Sequence, residues 1–169
     1  AAIVERVRSY AKGTRSERVS SEVSELVNKA VREFKRQSGE RVEVWVPQEQ
    51  PVYIIVNPLE FELVIINLLR NAAQALQELG VLNPKVALTI KREDNKALIA
   101  IEDNGHIEKE KIEKLSEPTN STKADGLGLG LQIVRSIIEN HGGKIFFSQA
   151  ASGGLRVEIR LPAEETTEQ

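Results

Sequence analysis

The sequence predicts an α+β fold: a two-layer α/β sandwich, with one mixed and mostly antiparallel sheet covered on one face by helices. Three observations lead there. Alternating apolar segments come in adjacent pairs around turn residues, as at Asp94-Asn95 and Ser152-Gly153-Gly154. Segments with helical apolar spacing fall between those pairs. At 169 residues and 40% hydrophobic content, the chain is long enough for one domain with a real core.

The elements follow in order. Segment 1–12 carries Ile3, Val4, Val7 and Tyr10 at amphipathic helical spacing, and Gly13 stops it. It is too short to stand alone as a helix. A polar linker covers 13–19. Ser20 and Ser21 offer N-caps for a helix ending near 38, with Val23, Leu26, Val27, Ala30, Val31 and Phe34 inward. Strands are expected over 41–46 and 52–56, with Pro47 between them. Asn57-Pro58 is a helix start: an Asn cap, then Pro at the first helical position. That helix runs to about Leu79, Gly80 ends it, and its core stripe is Phe61 or Leu59, then Leu63, Ile66, Leu69, Ala73 and Leu76. Strands 85–91 and 97–102 flank the Asp94-Asn95 turn. Segment 108–117 is charged and weakly helical, and 118–126 is polar and expected to be mobile. A helix over 127–140 closes near His141-Gly142-Gly143, and strands 144–149 and 155–161 finish the fold. The acidic tail 163–169 is expected to be disordered. There is no internal repeat.

Composition narrows the function. A net charge of −2 gives no footprint for nucleic acid. The absence of Cys removes disulfides and thiolate metal sites and fits a reducing, cytoplasmic setting. Two histidines, His106 and His141, are too few for a His-rich metal centre. No apolar run approaches the ~18–20 residues of a membrane helix, so no membrane contact is expected of this stretch. The chain opens Ala1-Ala2-Ile3 without Met and reads as a fragment of something longer.

The chemistry concentrates in three places. Asn67 and Asn71 stand four apart on one face of a helix, where apolar residues otherwise belong. An apolar strand, Ala97 to Ile101, ends in Asp103-Asn104-Gly105. Gly126, Gly128 and Gly130 alternate at the opening of a second helix, whose unpaired N–H groups and positive dipole end suit phosphate. An amide pair, a buried acid and a phosphate-ready glycine turn point to a nucleotide site.

In this order the segments resemble the catalytic and ATP-binding domain of a sensor histidine kinase. Asn57-Pro58 through Ala75 resembles the N box, Ile101 to Gly105 the first glycine box, and Gly126 to Leu131 the second. Glu117-Pro118 to Lys123 stands where the ATP lid would be. The resemblance covers 20–162, and residues 1–12 resemble the end of a phosphoacceptor and dimerisation helix. It implies a fold shared with gyrase-type and chaperone ATPases.

It also implies roles. Asn71 would coordinate Mg²⁺ between the phosphates, as a hard amide oxygen can. Asn67 stands where ATP-hydrolysing relatives carry a glutamate base. An amide cannot take a proton from water, which favours phosphoryl transfer over hydrolysis. Asp103 would accept from the exocyclic amine of adenine, beside Gly105. Gly126, Gly128 and Gly130, with Leu127, Leu129 and Leu131, would let the backbone approach the phosphates, and Lys123 would contact them from the lid. Arg70 points to another helix face. Neither His106 nor His141 follows the acceptor pattern, so the phosphoacceptor histidine is expected on a separate domain of the same protein. A response regulator would be the further partner, and this piece alone should be a monomer.

The chain departs from the family pattern three times. Gly105-His106-Ile107 lacks a further glycine, Thr119-Asn120 replaces an aromatic pair, and Leu155 stands where Thr is usual beside adenine. These imply a looser lid and weaker nucleotide binding. The alternatives are a gyrase-like or chaperone-like ATPase and a non-catalytic nucleotide-binding regulatory module.

Overall fold

A computed structural model describes residues 17–39, 41–47, 50–117 and 128–165, apart from the side chains of Gly128 and Leu129. In chain order the elements are β1 (Val19–Glu22), α1 (Val23–Ser38), β2 (Glu43–Trp45), β3 (Tyr53–Val56), α2 (Pro58–Leu79), β4 (Lys85–Glu93), β5 (Lys96–Asp103), α3 (Lys109–Ser116), α4 (Gly128–Asn140), β6 (Lys144–Gln149) and β7 (Leu155–Pro162). The expected lid, 118–127, and the segment 1–16 lie outside the described residues.

The main sheet has the order β2-β4-β5-β7-β6. Only β2 pairs in parallel, with β4; the other ladders are antiparallel. The predicted α+β sandwich with a mixed, mostly antiparallel sheet is therefore the observed one. Register decides what faces the helices. Ile90, Ile99, Ile159 and Ile145 lie in one cross-strand row, and Leu88, Ile101, Val157 and Phe147 in the next. These rows pack under α2 and α4 in a single apolar core with Leu63, Ile66, Leu69 and Ile137. Burying each such side chain contributes roughly 1.5–3 kcal/mol. The next same-face position along β5 after Ile101 is Asp103, so the strand's alternation delivers a carboxylate to the core layer.

The opposite face covers itself. Arg156 bridges Glu102 and Glu158, and Arg160 pairs with Glu158 while lying over the Phe146 ring. Leu98 and Ala100 are buried beneath this layer.

Helix α2 begins as its sequence predicts. The Asn57 side chain accepts from the Glu60 N–H at 3.0 Å, Pro58 takes the first position, and Gly80 closes the helix in the left-handed region. Helix α1 begins differently. Ser20 and Ser21, expected as its caps, lie in β1 opposite Ile55 and Ile54 of β3. Pairing with β3 holds that backbone extended, so Glu22 caps the helix by accepting from the Glu25 N–H at 3.1 Å. Tertiary pairing overrode a local capping signal, and it also took Val19 out of the expected linker.

Residues 163–165, expected in a frayed tail, are tied down. The Ala163 and Glu164 N–H groups donate to Asn95 and Tyr53 carbonyls, each at 2.8 Å. Among the described residues no helix is long and apolar enough to cross a membrane.

Candidate functional site

A cleft of ≈ 360 Å³ opens between one face of α2 and the ends of β5 and β7, and α3 forms its outer wall. Its volume lies in the range of small-molecule sites. Helix α2 contributes Leu68, Asn71, Ala72, Ala75 and Leu79, a run at helical spacing that presents one face. Leu115 of α3, Leu131 of α4, Phe147 of β6 and Leu155 of β7 complete an apolar lining.

Asp103 sits in this lining and is 7% exposed. The Gly105 N–H donates to its Oδ1 at 2.9 Å. Burial holds its carboxyl above the ordinary aspartate value, while backbone N–H bonds from Gly105 and Leu155 pull it part of the way back. Each residue of Asp103-Asn104-Gly105 has a separate task. Asn104 Oδ1 accepts from the Lys85 N–H at 2.8 Å, and its amide donates to the Asn83 carbonyl at 2.9 Å, which anchors the end of β5 to β4. A Cβ on Gly105 would stand 3.0 Å from Leu79 Cδ1 and 3.1 Å from Leu76 Cδ2, so glycine lets the turn lie flat on α2.

Gly154 packs harder still. A Cβ there would meet the Asp103 carbonyl oxygen at 2.2 Å and Asp103 Oδ1 at 2.3 Å. Its neighbour Gly153 makes the hairpin turn with φ 102. One glycine serves conformation and the other serves space.

The two asparagines separate. Asn71 lines the cleft, half-buried, and its side chain makes no hydrogen bond to another described residue. Asn67 is 8% exposed and lies off the cleft wall. Its amide donates to the Leu63 carbonyl one turn back at 2.9 Å, and its Oδ1 would stand 3.2 Å from a Cβ on Gly130. Asn67 therefore packs α2 against the start of α4. Gly128, Leu129 and Gly130 form the first turn of α4, and Leu131 reaches the cleft. Lys123, Gly126 and Leu127 lie outside the described residues.

Neither histidine is arranged as a nucleophile of this site. His141 is buried at the C-terminal end of α4; its Nδ1 stands 2.7 Å from the Ile137 carbonyl oxygen, and its Nε2 accepts from the Asn57 N–H at 3.2 Å. It joins the end of α4 to the cap of α2. His106 borders the cleft, exposed, with Nε2 3.1 Å from Glu108 Oε1.

Sequence reasoning missed Gly154, and also Leu79, His106, Lys111, Leu115 and Phe147 of the cleft wall. Gly154 had a signal: a two-glycine turn in which only one glycine is needed for the turn. The others come together only through the packing of α3 and β6. Among the described residues no cluster of three His, Cys, Asp or Glu could hold a metal by itself.

An apolar slot ending in one buried acceptor suits a flat heterocycle with a donor edge. An amide that bonds no other described residue and a helix N-terminus suit an anionic, metal-bridged tail.

Residues 56–165 match the family described as histidine kinase-, DNA gyrase B-, and HSP90-like ATPase. The sensor protein TdiS of Thauera aromatica is 38% identical over 110 residues, 62% of this chain and 20% of that protein. Sporulation kinase B of Bacillus subtilis is 34% identical over 125 residues, 73% of this chain and 28% of that protein. The chain thus spans about a quarter of the curated relatives it matches. Among solved structures, the catalytic domain of the histidine kinase ThkA superposes with a TM-score of 0.71 at 27% identity, over 86% of this chain and 95% of that one.

Proposed function

The chain belongs to the histidine kinase-, DNA gyrase B- and HSP90-like ATPase family and corresponds to the ATP-binding catalytic domain of sensor histidine kinases; we propose that it binds Mg²⁺·ATP and donates the γ-phosphoryl group to a histidine on a separate domain of the same protein. The observation that carries this reading is Asp103, a buried carboxylate in an apolar cleft also lined by Asn71, whose amide bonds no other described residue.

In this reading Asp103 accepts from the adenine amine, and the apolar walls exclude water from the ring. Asn71 would supply an oxygen to Mg²⁺. The first turn of α4, with Gly128, Leu129, Gly130 and Leu131, supplies backbone donors to the phosphates. By the family resemblance, Gly126, Leu127 and Lys123 would join in contacting the phosphates. When bound, Mg²⁺ would neutralise phosphate charge, and the protein's own contribution is mostly positioning.

Asn67 offers no base to activate water, and its amide is engaged with the Leu63 carbonyl. Transfer to a protein acceptor is favoured over hydrolysis. With its ring nitrogens engaged inside the fold, His141 is not the acceptor. A response regulator then receives the phosphoryl group. The setting is cytoplasmic, and this stretch is monomeric.

Calorimetry with a non-hydrolysable ATP analogue tests the reading. Binding should require Mg²⁺, and folded Asn71→Ala and Asp103→Ala variants should each lose it by tenfold or more, about 1.4 kcal/mol. A folded parent that binds no nucleotide overturns the proposal. Steady phosphate release without an acceptor domain overturns the preference for transfer.

A further inference from the structure

We propose that Arg135 is a positioning residue for nucleotide binding: from behind the cleft it ties α3, β6 and α4 into one wall. This inference rests on the reading of the cleft as the nucleotide site and adds a residue to it. Arg135 does not itself line the cleft. Leu131, one helical turn earlier on the same face of α4, does. The half-buried Arg135 guanidinium donates to the Leu115 carbonyl of α3 and lies over the Phe147 ring of β6, 5.3 Å from its centroid. Leu115 and Phe147 both line the cleft. One arginine thus joins lining residues from elements that are separate along the chain.

Among these walls α3 has the least hold of its own. It has eight residues, Glu108 caps it without a side-chain bond, and Leu115 is its one buried residue. A helix this short is marginal in isolation. Its last carbonyls lack intrahelical partners and its dipole is negative at that end, so a guanidinium at the Leu115 carbonyl answers both. The Phe147 ring is close enough for a cation–π attraction to the same group. Among the described residues Arg135 forms no ion pair, so no carboxylate draws its charge away from the wall. Arg160 offers a contrast. It lies over Phe146, 4.4 Å from the ring centroid, on the sheet face away from the helices.

Calorimetry with a non-hydrolysable Mg²⁺·ATP analogue and amide hydrogen exchange, both on the 169-residue chain, test this. Folded Arg135→Gln should bind about fivefold or more weakly than the parent. Its α3 amides should exchange about tenfold or more faster, while those of α2 and β5 keep the parent rates. Arg135→Lys keeps a cation for the carbonyl but loses the planar group over the ring. Its changes should have the same sign and a smaller size, and it decides the question if Arg135→Gln does not fold. Arg160→Gln should alter neither readout. A parent that binds no nucleotide overturns the reading of the site and this inference with it. A parent that binds, with folded Arg135 variants that match its affinity, overturns the inference alone. Faster exchange spread evenly over the fold does the same, because a merely structural arginine would give that result.

Discussion

Asp103 and Gly154 are a matched pair, and each constrains the other. Gly154→Ala places a Cβ 2.2 Å from the Asp103 carbonyl oxygen, so one of two hydrogen-bonded strand ends must move. The variant should lose about 1–3 kcal/mol in urea unfolding and bind nucleotide more weakly than the parent. Asp103 also carries a pH signature. Its native carboxyl keeps its proton to higher pH than in the unfolded chain, because burial penalises the charge. The stability this group contributes is therefore full below the ordinary aspartate value and lost as pH rises through the raised native one. Asp103→Asn should gain stability relative to the parent across that window, measured by urea unfolding at a series of pH values. Nucleotide affinity is expected to run the other way in the parent, since the acceptor role proposed for Asp103 needs the ionised form.

At the level of elements, α2 organises the site because both of its ends are fixed. Asn57 caps it through the Glu60 N–H, while the Asn57 N–H itself is held by His141 at the end of α4. Asn57→Ala should cost about 1 kcal/mol, the usual worth of an N-cap. His141→Ala should cost about 1–3 kcal/mol by leaving a buried N–H without its partner. The double variant should lose about the sum of the two, because Asn57→Ala keeps the backbone N–H that His141 holds and the two substitutions remove different bonds. Unfolding midpoints of the three variants check this. Both ends of α2 were legible from the Asn-Pro and Gly punctuation, since those signals act within one turn. The start of α1 was not legible. Its backbone belongs to β1, and the partner strand lies more than thirty residues further along the chain.

For the whole molecule, layering decides what a substitution costs. Ile99 lies in a four-strand isoleucine row under the helices and is fully buried. Ile99→Ala should cost about 2–5 kcal/mol, a transfer loss plus a cavity. Trp45 sits on the short edge strand β2 at 59% exposure. Trp45→Ala should stay within about 0.5 kcal/mol of the parent. Guanidinium unfolding of both variants separates the layers.

By itself the sequence determined the fold class, the hairpins around Asp94-Asn95 and Ser152-Gly153-Gly154, and both ends of α2, and it singled out Asp103 and Asn71, which both line the cleft. Periodicity, caps and turn residues act between near neighbours, so they can be read along the chain. Only the tertiary structure decided that Asn71 faces the cleft while Asn67 packs against Gly130, that Gly154 leaves room for Asp103, and that Leu115 and Phe147 close the wall. Those outcomes depend on which elements meet. That is set by burying one continuous apolar core across the whole sheet, a property no local stretch of the chain contains.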